Sequence, residues 1–374
     1  MTVRVLVVDD SSFMRSMISR AVEAAPGLEL VGTAMDGEDA LRRIAATDPD
    51  VVTMDIEMPR KTGLEALREL RVTKTRRPSV VMCSSLTVEG SDATLEALRL
   101  GASDFIAKDT SFSVSDGATF SSELVAKIRA VAPRAVMAKR TARIAERAAG
   151  APAPSKTSTR LPKPSRLRPP TRTKLVVVGS STGGPPVLEK LIRSLPEGFD
   201  VPVVIAQHMP ELFTSSLARR LNEMSPLDVR LAEDGLGLGP GTVTLGRGGS
   251  HVTVSRRGGT HRIGVGSEPA NAPYKPDVDE LFSSAAAAFG GACVGVMLTG
   301  MGDDGVEGAG QIRAAGGCVI AQDEQSCVVY GMPRAVIERG HAQAAGTPSE
   351  LFAFVRALSG ASRGGSGSPL RRAG

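Results

Sequence analysis

The sequence predicts an α/β protein with two doubly wound domains, each built on a parallel sheet that helices cover on both faces. Short Val-rich runs alternate with segments whose apolar residues recur at helical spacing, and the runs are continuously apolar, as strands buried on both faces are. A segment rich in Pro, Ala and Arg interrupts this alternation, and 374 residues are more than one ordinary domain holds. We therefore expect domains at 1–131 and 172–358, a linker at 132–171 and a disordered tail at 359–374.

Five strand–helix units are predicted in the first domain. Their strands are, in chain order, "RVLVVD", "LELVGTA", "DVVTMD", "SVVMCSS" and "SDFIAK". Each strand is followed by a segment with apolar residues at helical spacing, so the five units predict a parallel sheet that helices cover on both faces.

The second domain repeats this pattern and interrupts it once. Its first strands are predicted at "KLVVVG" and "VPVVIAQ". A Gly-rich region at 233–266 then alternates polar and apolar residues, which predicts a β-hairpin insertion from "TVTLG", "HVTVSRR" and "HRIGVG". The last strands are predicted at "ACVGVMLT", "CVIAQ" and "CVVY".

Positive charge is concentrated between the two domains. From Arg134 to Lys174 the chain has twelve Lys and Arg residues and a single acid, Glu146, whereas the whole chain carries only +5. A solvated linker is the simpler interpretation, and contact with an acidic partner or a membrane surface is the alternative. Because the basic residues do not belong to a folded face, we expect no nucleic-acid binding.

The cysteines and the hydropathy indicate where the protein works. Four widely spaced cysteines form no CxxC pair and no zinc spacing, which is typical of reduced core residues in a cytoplasmic protein. No apolar run approaches the roughly 18 residues that a membrane span needs, so we expect a chain that is not inserted in a membrane.

Acidic and cationic residues follow successive strands of the first domain. Asp9 and Asp10 end the first strand, Asp55 the third, Ser84 the fourth and Lys108 the fifth. Acids after strands are often the caps of the next helix, but the ordered set favours a site, because the carboxyl ends of parallel strands meet at one edge of the sheet. Clustered carboxylates suit Mg²⁺, and a carboxylate beside Mg²⁺ with a hydroxyl and an ammonium nearby can accept a phosphoryl group.

This set resembles the receiver domain of response regulators, over about residues 3–131. The resemblance implies a five-stranded, flavodoxin-like fold. It also implies that Asp55 is the phosphoacceptor, and that Asp10 and Asp55 bind Mg²⁺ with Asp9 nearby.

The same resemblance implies roles for three further residues. Ser84 and Lys108 would contact the phosphoryl group, and Phe105 would be the aromatic side chain whose packing changes on phosphorylation. Receivers usually have Pro after the lysine, where this chain has Asp109. That departure affects the local backbone and the switching, not the identity of the acceptor.

The loop "GSSTGG" opens the second domain and allows more than one function. Its register from Gly179 to Gly183 fits the G-x-S-x-G nucleophile elbow between a strand and a helix, with Ser181 as the exposed serine. The same strand, loop and helix N-terminus would serve a phosphate cradle, although no lysine follows the glycines. A tight turn without any site is the third interpretation.

A base and an acid for such a serine are present at other strand ends. His208 ends the strand that adjoins the elbow, in "VVIAQHMP". In "VMLTGMGDDG" a strand leads through a Gly-rich turn to Asp303 and Asp304. Spacing alone does not say which of the two acids would orient the histidine, or whether one is the N-cap of the next helix. The backbone N–H groups of Gly300–Gly302 are candidate donors to an oxyanion.

At this point the chain resembles the CheB family of chemotaxis protein-glutamate methylesterases, over roughly 172–358. The blocks that carry the resemblance are "GSSTGG", "AQHMP", "LTGMGDDG" and "SCVVYGMP". It implies a doubly wound domain of the α/β hydrolase type with Ser181 as nucleophile, His208 as base and Asp304 as the third member. The N–H of Met301 would donate to the oxyanion, with Thr182 close to the site. The chain departs from the family at Ser180, where the family commonly has Ala, and at Asp303, where it often has Asn. The added carboxylate at 303 raises the local negative charge, so the sequence alone does not give the activity at a particular pH.

The resemblance implies a phosphorylation-regulated hydrolase. It would remove methyl groups from glutamate methyl esters of a methyl-accepting chemoreceptor and deamidate receptor glutamines. The receiver would cover the active site until a histidine kinase phosphorylates Asp55. Mg²⁺ would be needed by the receiver alone, and we expect a cytoplasmic monomer. Two alternatives remain at this point: a non-catalytic protein that signals by docking, and a phosphate or nucleotide site at 179–184.

Overall fold

The chain divides into two compact units, Met1–Ser158 and Thr159–Gly374. The bounds of the domains, the linker and the tail stay predictions, because most of the linker and the tail beyond Ser359 lie outside the described residues. Asp109 also lies outside them, so its effect on the local backbone stays a prediction. The computed structural model describes residues 2–72, 77–108, 119–132, 136, 161–167, 170 and 173–359.

The first unit is a five-stranded parallel sheet, as predicted, and its strand order is β2-β1-β3-β4-β5. Its strands are β1 (Val3–Val8), β2 (Leu28–Ala34), β3 (Val51–Asp55), β4 (Ser79–Ser85) and β5 (Asp104–Lys108). Its helices are α1 (Ser12–Ala24), α2 (Gly37–Thr47), α3 (Gly63–Val72), α4 (Val88–Arg99) and α5 (119–132). Every residue of β3 is buried, because helices cover both faces of the sheet.

The second unit is a seven-stranded parallel sheet with the order β14-β13-β12-β6-β7-β9-β8. Its strands are β6 (Leu175–Ser180), β7 (Val203–Gln207), β8 (Asp228–Leu231), β9 (Thr242–Leu245), β12 (Cys293–Met297), β13 (Cys318–Gln322) and β14 (Ala344–Gly346). Its helices are α6 (Gly184–Ser194), α7 (Glu211–Met224), α8 (Val278–Phe289), α9 (Val306–Ala314), α10 (Met332–Glu338) and α11 (Pro348–Arg356). No helix among the described residues of either unit has the length and apolarity to cross a membrane.

The predicted hairpin insertion is present, but it has two strands. β10 (His251–Arg257) pairs antiparallel with β11 (Thr260–Gly266). "TVTLG", which we grouped with the hairpin, is instead β9 and pairs parallel with β7 and β8 in the main sheet. Three of its four residues are buried, which is the pattern of an inner strand rather than of a half-exposed hairpin.

The prediction of a strand at "CVVY" was wrong. Cys327–Tyr330 form an irregular loop, and an isolated bridge pairs Tyr330 with Gly300. Hydrogen bonds from the backbone N–H groups of Val328 and Val329 go to the hydroxyl of Thr299, 3.1 Å away in each case. Cys327 and Val329 of this loop are buried, and the Thr299 hydroxyl accepts the N–H groups that a neighbouring strand would otherwise accept.

Part of the predicted linker packs on the second unit. Pro162 accepts a hydrogen bond from the backbone N–H of Ala345 in β14, and Lys163 forms an ion pair with Glu350 of α11 at 2.7 Å. Pro164 is buried. Residues 161–167 therefore contribute to the packing of β14 and α11.

Three neighbouring strands at the centre of the larger sheet carry the three motifs of the second domain. β12, β6 and β7 lie side by side, and each is followed at its carboxyl end by one motif: "LTGMGDDG", "GSSTGG" and "AQHMP" respectively. In parallel sheets these ends form the crevice where ligands bind. The topology thus brings segments that are distant in sequence to one edge of the sheet.

Candidate active site

The turn after β6 exposes one serine and buries the other. β6 ends at Ser180, which is fully buried, and Ser181 follows with a partly exposed side chain. The chain then turns through Gly183, whose φ of +77° favours glycine, and α6 begins at Gly184. A Cβ atom at Gly184 would lie 2.2 Å from Gln207 Oε1, so this glycine lets α6 start close to β7.

Gln207, which we did not predict as a site residue, ties the elbow to the end of β7. It accepts a hydrogen bond from Ser180 Oγ at 2.6 Å through its Oε1. Its Nε2 donates to the carbonyl oxygens of Ser181 and His208, at 3.0 and 3.1 Å. The sequence contains one indication of this role: Gln207 is a polar residue at the end of an otherwise apolar strand, directly before His208. A polar side chain that is buried at such a position needs hydrogen-bond partners.

His208 is held against Asp304 at the sheet edge. The backbone N–H of His208 donates to the carbonyl of Ser180 at 3.0 Å, so the histidine lies directly beside the elbow. A hydrogen bond of 2.7 Å joins His208 Nε2 to Asp304 Oδ2, and each of the two side chains is only 6% exposed. Within the described residues, His208 Nδ1 is buried without a hydrogen-bond partner. No hydrogen bond between these residues joins the His208 ring to Ser181 Oγ. Nδ1 is therefore the ring nitrogen that remains available.

Asp304 is oriented by the first residues of α8. Its Oδ2 accepts from the N–H of Val278 at 2.8 Å and its Oδ1 from the N–H of Asp279 at 2.9 Å. Burial alone would raise the pKa of Asp304, but the hydrogen bond and charge of His208 and these two N–H groups outweigh it and hold the pKa below its usual value. Asp304 is thus maintained as a carboxylate at a helix N-terminus.

The structure distinguishes the two adjacent acids of "GMGDDG". Asp303 is exposed, and its backbone carbonyl accepts from the N–H of Val306. Neither acid is the N-cap of α9, because Gly305 occupies that position. Only Asp304 of the pair is hydrogen-bonded to His208.

The turn after β12 packs directly against the elbow. A Cβ atom at Gly300 would lie 2.9 Å from the Cβ of Ser181, so only glycine permits this approach. The N–H of Gly300 donates to the carbonyl of Val329 and that of Ser181 to the carbonyl of Thr299. In contrast, the N–H of Met301 donates no hydrogen bond within the described part of the chain.

Thr299, a second residue that we did not predict, joins three loops. Its N–H donates to Gln322 Oε1, and its hydroxyl donates to the carbonyl of Thr182 at 2.9 Å. The same hydroxyl accepts the N–H groups of the loop at 327–330, and the carbonyl accepts the N–H of Ser181. Thr182 is buried and adjoins Ser181. The elbow is therefore fixed to the turn that carries Met301.

The ring of His208 also stacks on Tyr274, a third residue that we did not predict. The ring centroids are 4.2 Å apart and the planes differ by 10°. Tyr274 lies in the segment between β11 and α8, which has no regular secondary structure. No sequence motif connected this segment with the histidine.

The first unit brings the predicted carboxylates and lysine together. Lys108 Nζ lies 2.8 Å from Asp9 Oδ2 and 2.7 Å from Asp55 Oδ2. Oxygen atoms of Asp9, Asp10 and Asp55 all lie within 4.8 Å of one another, with Asp10 the exposed member. Burial raises the pKa of Asp55 to about 6 against the opposing effect of Lys108. An all-oxygen set of this kind fits a hard divalent cation.

Ser84 and Phe105 lie in the same unit with other contacts. Ser84 is fully buried, and its hydroxyl donates to the carbonyl of Gly90 in α4 at 3.0 Å. Phe105 is buried in β5, with Lys127 Nζ 5.8 Å from the centre of its ring. Both residues connect the sheet to its helices.

Comparison with known proteins gives the family. The family model described as CheB methylesterase matches residues 176–355, and that described as response regulator receiver domain matches 5–114. A protein-glutamate methylesterase/protein-glutamine glutaminase of Oleidesulfovibrio alaskensis is 42% identical over 353 residues, which cover 90% of this chain and 94% of that protein. The chain belongs to the CheB methylesterase family. A relative of the same name in Myxococcus xanthus is also 42% identical, over 95% of this chain and 97% of its own length.

One solved structure is similar to part of this chain. The crystal structure of the Thermotoga maritima CheB methylesterase catalytic domain has 40% sequence identity and a TM-score of 0.48, and covers 50% of this chain and 98% of that one. Membership in the CheB family confirms the predicted order of a receiver followed by a catalytic α/β domain.

Proposed function

We propose that this CheB-family chain is a protein-glutamate methylesterase and protein-glutamine glutaminase that acts on methyl-accepting chemoreceptors in the cytoplasm. The observation that carries the proposal is the hydrogen-bonded pair of His208 and Asp304 beside the elbow that presents Ser181. The names of the relatives support the same activity. A serine, an imidazole and a carboxylate in this relation are the groups that acyl transfer needs.

His208 is the general base, and it acts through Nδ1. Its Nε2 donates to Asp304, whose lowered pKa keeps the acceptor ionised. Nδ1 then carries the lone pair and takes the proton of Ser181 Oγ as the oxygen attacks the ester carbonyl carbon. The Asp304 carboxylate holds this tautomer and stabilises the imidazolium that forms.

The tetrahedral intermediate places its negative oxygen at the turn after β12. The N–H of Met301, which has no acceptor within the described residues, is the proposed donor, with Thr182 beside it. Collapse breaks the bond to the methoxy group, which leaves as methanol with the proton from His208. Water, deprotonated by His208, then attacks the acyl-serine and releases the glutamate carboxylate and free Ser181. With a glutamine side chain the same steps release ammonia.

The first unit regulates this activity as a receiver. Asp55 accepts a phosphoryl group from a histidine kinase, and Lys108, already between Asp9 and Asp55, contacts the transferred group together with Ser84. Asp9, Asp10 and Asp55 would hold Mg²⁺, which supplies neutralisation of phosphoryl charge when it is bound. Phe105 repacks on phosphorylation, and the working form of the chain is a monomer.

The proposal is tested with a methyl-labelled chemoreceptor as substrate. The wild-type chain is expected to release labelled methanol and to convert receptor glutamines to glutamates, which mass spectrometry of receptor peptides detects. His208→Gln is expected to do neither, since it lacks the base. A wild-type chain that does neither, with or without acetyl phosphate as phosphodonor, would contradict the proposal and favour a docking protein.

A further inference from the structure

The imidazole of His208 has a flat aromatic neighbour as well as an acidic one. Tyr274 stacks on it with ring centroids 4.2 Å apart and planes 10° from parallel. The histidine side chain is only 6% exposed, so the stack is part of a nearly closed environment. Nothing in the proposed acyl-transfer steps uses this tyrosine.

A single hydrogen bond does not fix the plane of an imidazole ring. The bond from His208 Nε2 to Asp304 Oδ2 fixes one atom, and the ring remains able to pivot about that contact. Nδ1 moves with this pivoting, and the described structure gives it no hydrogen-bond partner that would stop it. A parallel ring against one face restricts the pivoting and fixes the direction in which Nδ1 points.

The segment that carries Tyr274 is anchored on both sides. The carbonyl of Lys275 accepts the N–H of Gly249, and the carbonyl of Pro269 accepts a hydrogen bond from His251 Nε2 at 3.1 Å. Tyr274 itself stands between Pro273 and the Lys275-Pro276 pair, and prolines restrict the backbone. The tyrosine ring is therefore presented from a rigid support.

The same segment also places the acidic partner of His208. α8 begins four residues after Tyr274 with Val278, and the N–H groups of Val278 and Asp279 hold both carboxylate oxygens of Asp304. One short stretch of chain, residues 274–279, thus sets the position of Asp304 and the plane of His208.

We propose that Tyr274 is a positioning residue for the esterase reaction, fixing the plane of the His208 ring so that Nδ1 is presented to Ser181. The face of its ring also favours the imidazolium that forms on proton transfer, because aromatic faces attract cations, most strongly where water is excluded. Both effects act on the chemical step rather than on receptor binding. This inference rests on the proposed function.

The kinetic test compares Tyr274→Ala, Tyr274→Phe and a matched control on methyl-labelled receptor. The control is Phe289→Ala, which removes the partner of the other histidine stack, with His261, at 3.9 Å between centroids. We expect Tyr274→Ala to lower kcat by roughly 10- to 100-fold with KM nearly unchanged, because a misplaced base slows chemistry on this order. Tyr274→Phe keeps the ring and is expected to restore kcat, and Phe289→Ala is expected to keep wild-type kcat.

Three kinetic results would overturn the inference. Wild-type kcat in Tyr274→Ala would show that the stack is dispensable. A raised KM with unchanged kcat would assign Tyr274 to receptor binding. Loss of kcat in Tyr274→Phe equal to that in Tyr274→Ala would assign the effect to the hydroxyl. Inactivity of the wild-type chain would instead contradict the proposed function.

A second measurement does not need activity. The ¹⁵N signals of the His208 imidazole, assigned by their loss in His208→Gln, report its tautomer and its mobility. We expect one tautomer, protonated at Nε2, in the wild type and in Tyr274→Phe, and an averaged or broadened signal in Tyr274→Ala. Identical ring signals in all three folded proteins would overturn the positioning role.

Discussion

Ser180 donates its hydroxyl hydrogen to Gln207 Oε1 across 2.6 Å, at the ends of two neighbouring strands. The bond commits the buried serine to a structural contact, whereas its neighbour Ser181 is partly exposed at the turn. Ser180 and Ser181 are adjacent in "GSSTGG", and the sequence alone does not distinguish their hydroxyl groups. The structure does, because only the Ser180 hydroxyl is hydrogen-bonded to Gln207. The amide of Gln207 continues the contact to the carbonyls of Ser181 and His208.

Replacement of Gln207 by leucine tests this connection. Gln207→Leu leaves the hydroxyl of Ser180 and the carbonyl of His208 without this partner, and each unpaired buried group costs about 1–3 kcal/mol. The carbonyl of Ser181 keeps the N–H of Gly184. We expect a lower denaturation midpoint and slower methanol release, because the elbow and His208 lose their shared support. Ser180→Ala is the matched control, since it removes one of the three bonds and is expected to cost less. A Gln207→Leu variant as stable and active as the wild type would contradict the connection.

Loss of the charge on Asp304 is expected to be severe. Asp304→Asn puts an amide where the carboxylate accepts from His208, Val278 and Asp279, so at least one N–H meets a donor. We expect kcat for methanol release to fall by about 10⁴-fold, as when the acid of a serine triad is made an amide. The control is the exposed neighbour, Asp303→Asn, which is expected to keep kcat near the wild-type value. Equal losses in the two variants would contradict the assignment of Asp304.

The phosphodonor response is expected to depend on Asp55. Asp55→Asn removes the attacking carboxylate next to Lys108, so methanol release should be the same with and without acetyl phosphate. Removal of divalent cations from the wild-type chain with a chelator should also abolish the response. Glu29→Gln, at an exposed position in β2, serves as the control and should respond normally. A normal response in Asp55→Asn would contradict the regulatory scheme.

The stability of the second unit is expected to depend on pH through Asp279. Burial, opposed by the N–H of Gly308 and reinforced by Asp304, raises the pKa of Asp279 to about 6 from 3.8. Between these two values the unfolded chain releases its proton first, so this group's contribution to stability is complete at low pH and declines as pH rises to about 6. Asp279→Asn keeps an acceptor and does not ionise. Its melting temperature relative to the wild type should therefore increase from pH 4 to pH 7, and a constant difference would contradict this account.

Much of this fold and site follows from the sequence because the motifs stand at strand ends. In a parallel sheet these ends meet, so the positions of His208 beside the elbow and of Lys108 beside Asp55 could be inferred from order alone. The errors concern strand membership. "TVTLG" and "CVVY" are similar in composition, but the first is an inner strand and the second a loop whose N–H groups bind the Thr299 hydroxyl. Periodicity does not report which acceptor satisfies a buried backbone.

The contacts that support the site could not be predicted in the same way. Tyr274 contacts His208 from an irregular segment, and Asp304 accepts hydrogen bonds from the N-terminus of α8 rather than from α9, the helix that follows it. Both contacts join residues distant in sequence and depend on where β11 and α8 pack. Gln207 and Thr299 are single polar residues that follow apolar runs, and their partners become evident only when β13, β12, β6 and β7 are side by side.

The most direct test of the account compares alanine at each of the two adjacent serines. Methanol release from methyl-labelled receptor is measured for Ser181→Ala and Ser180→Ala under the same conditions, with folding checked by thermal unfolding. We predict that Ser181→Ala loses more than about 10⁴-fold in kcat, as loss of a serine nucleophile does, while Ser180→Ala remains within about tenfold of the wild type. A dead Ser180→Ala with an active Ser181→Ala, or near-normal release from both, would contradict the claim that Ser181 attacks the ester.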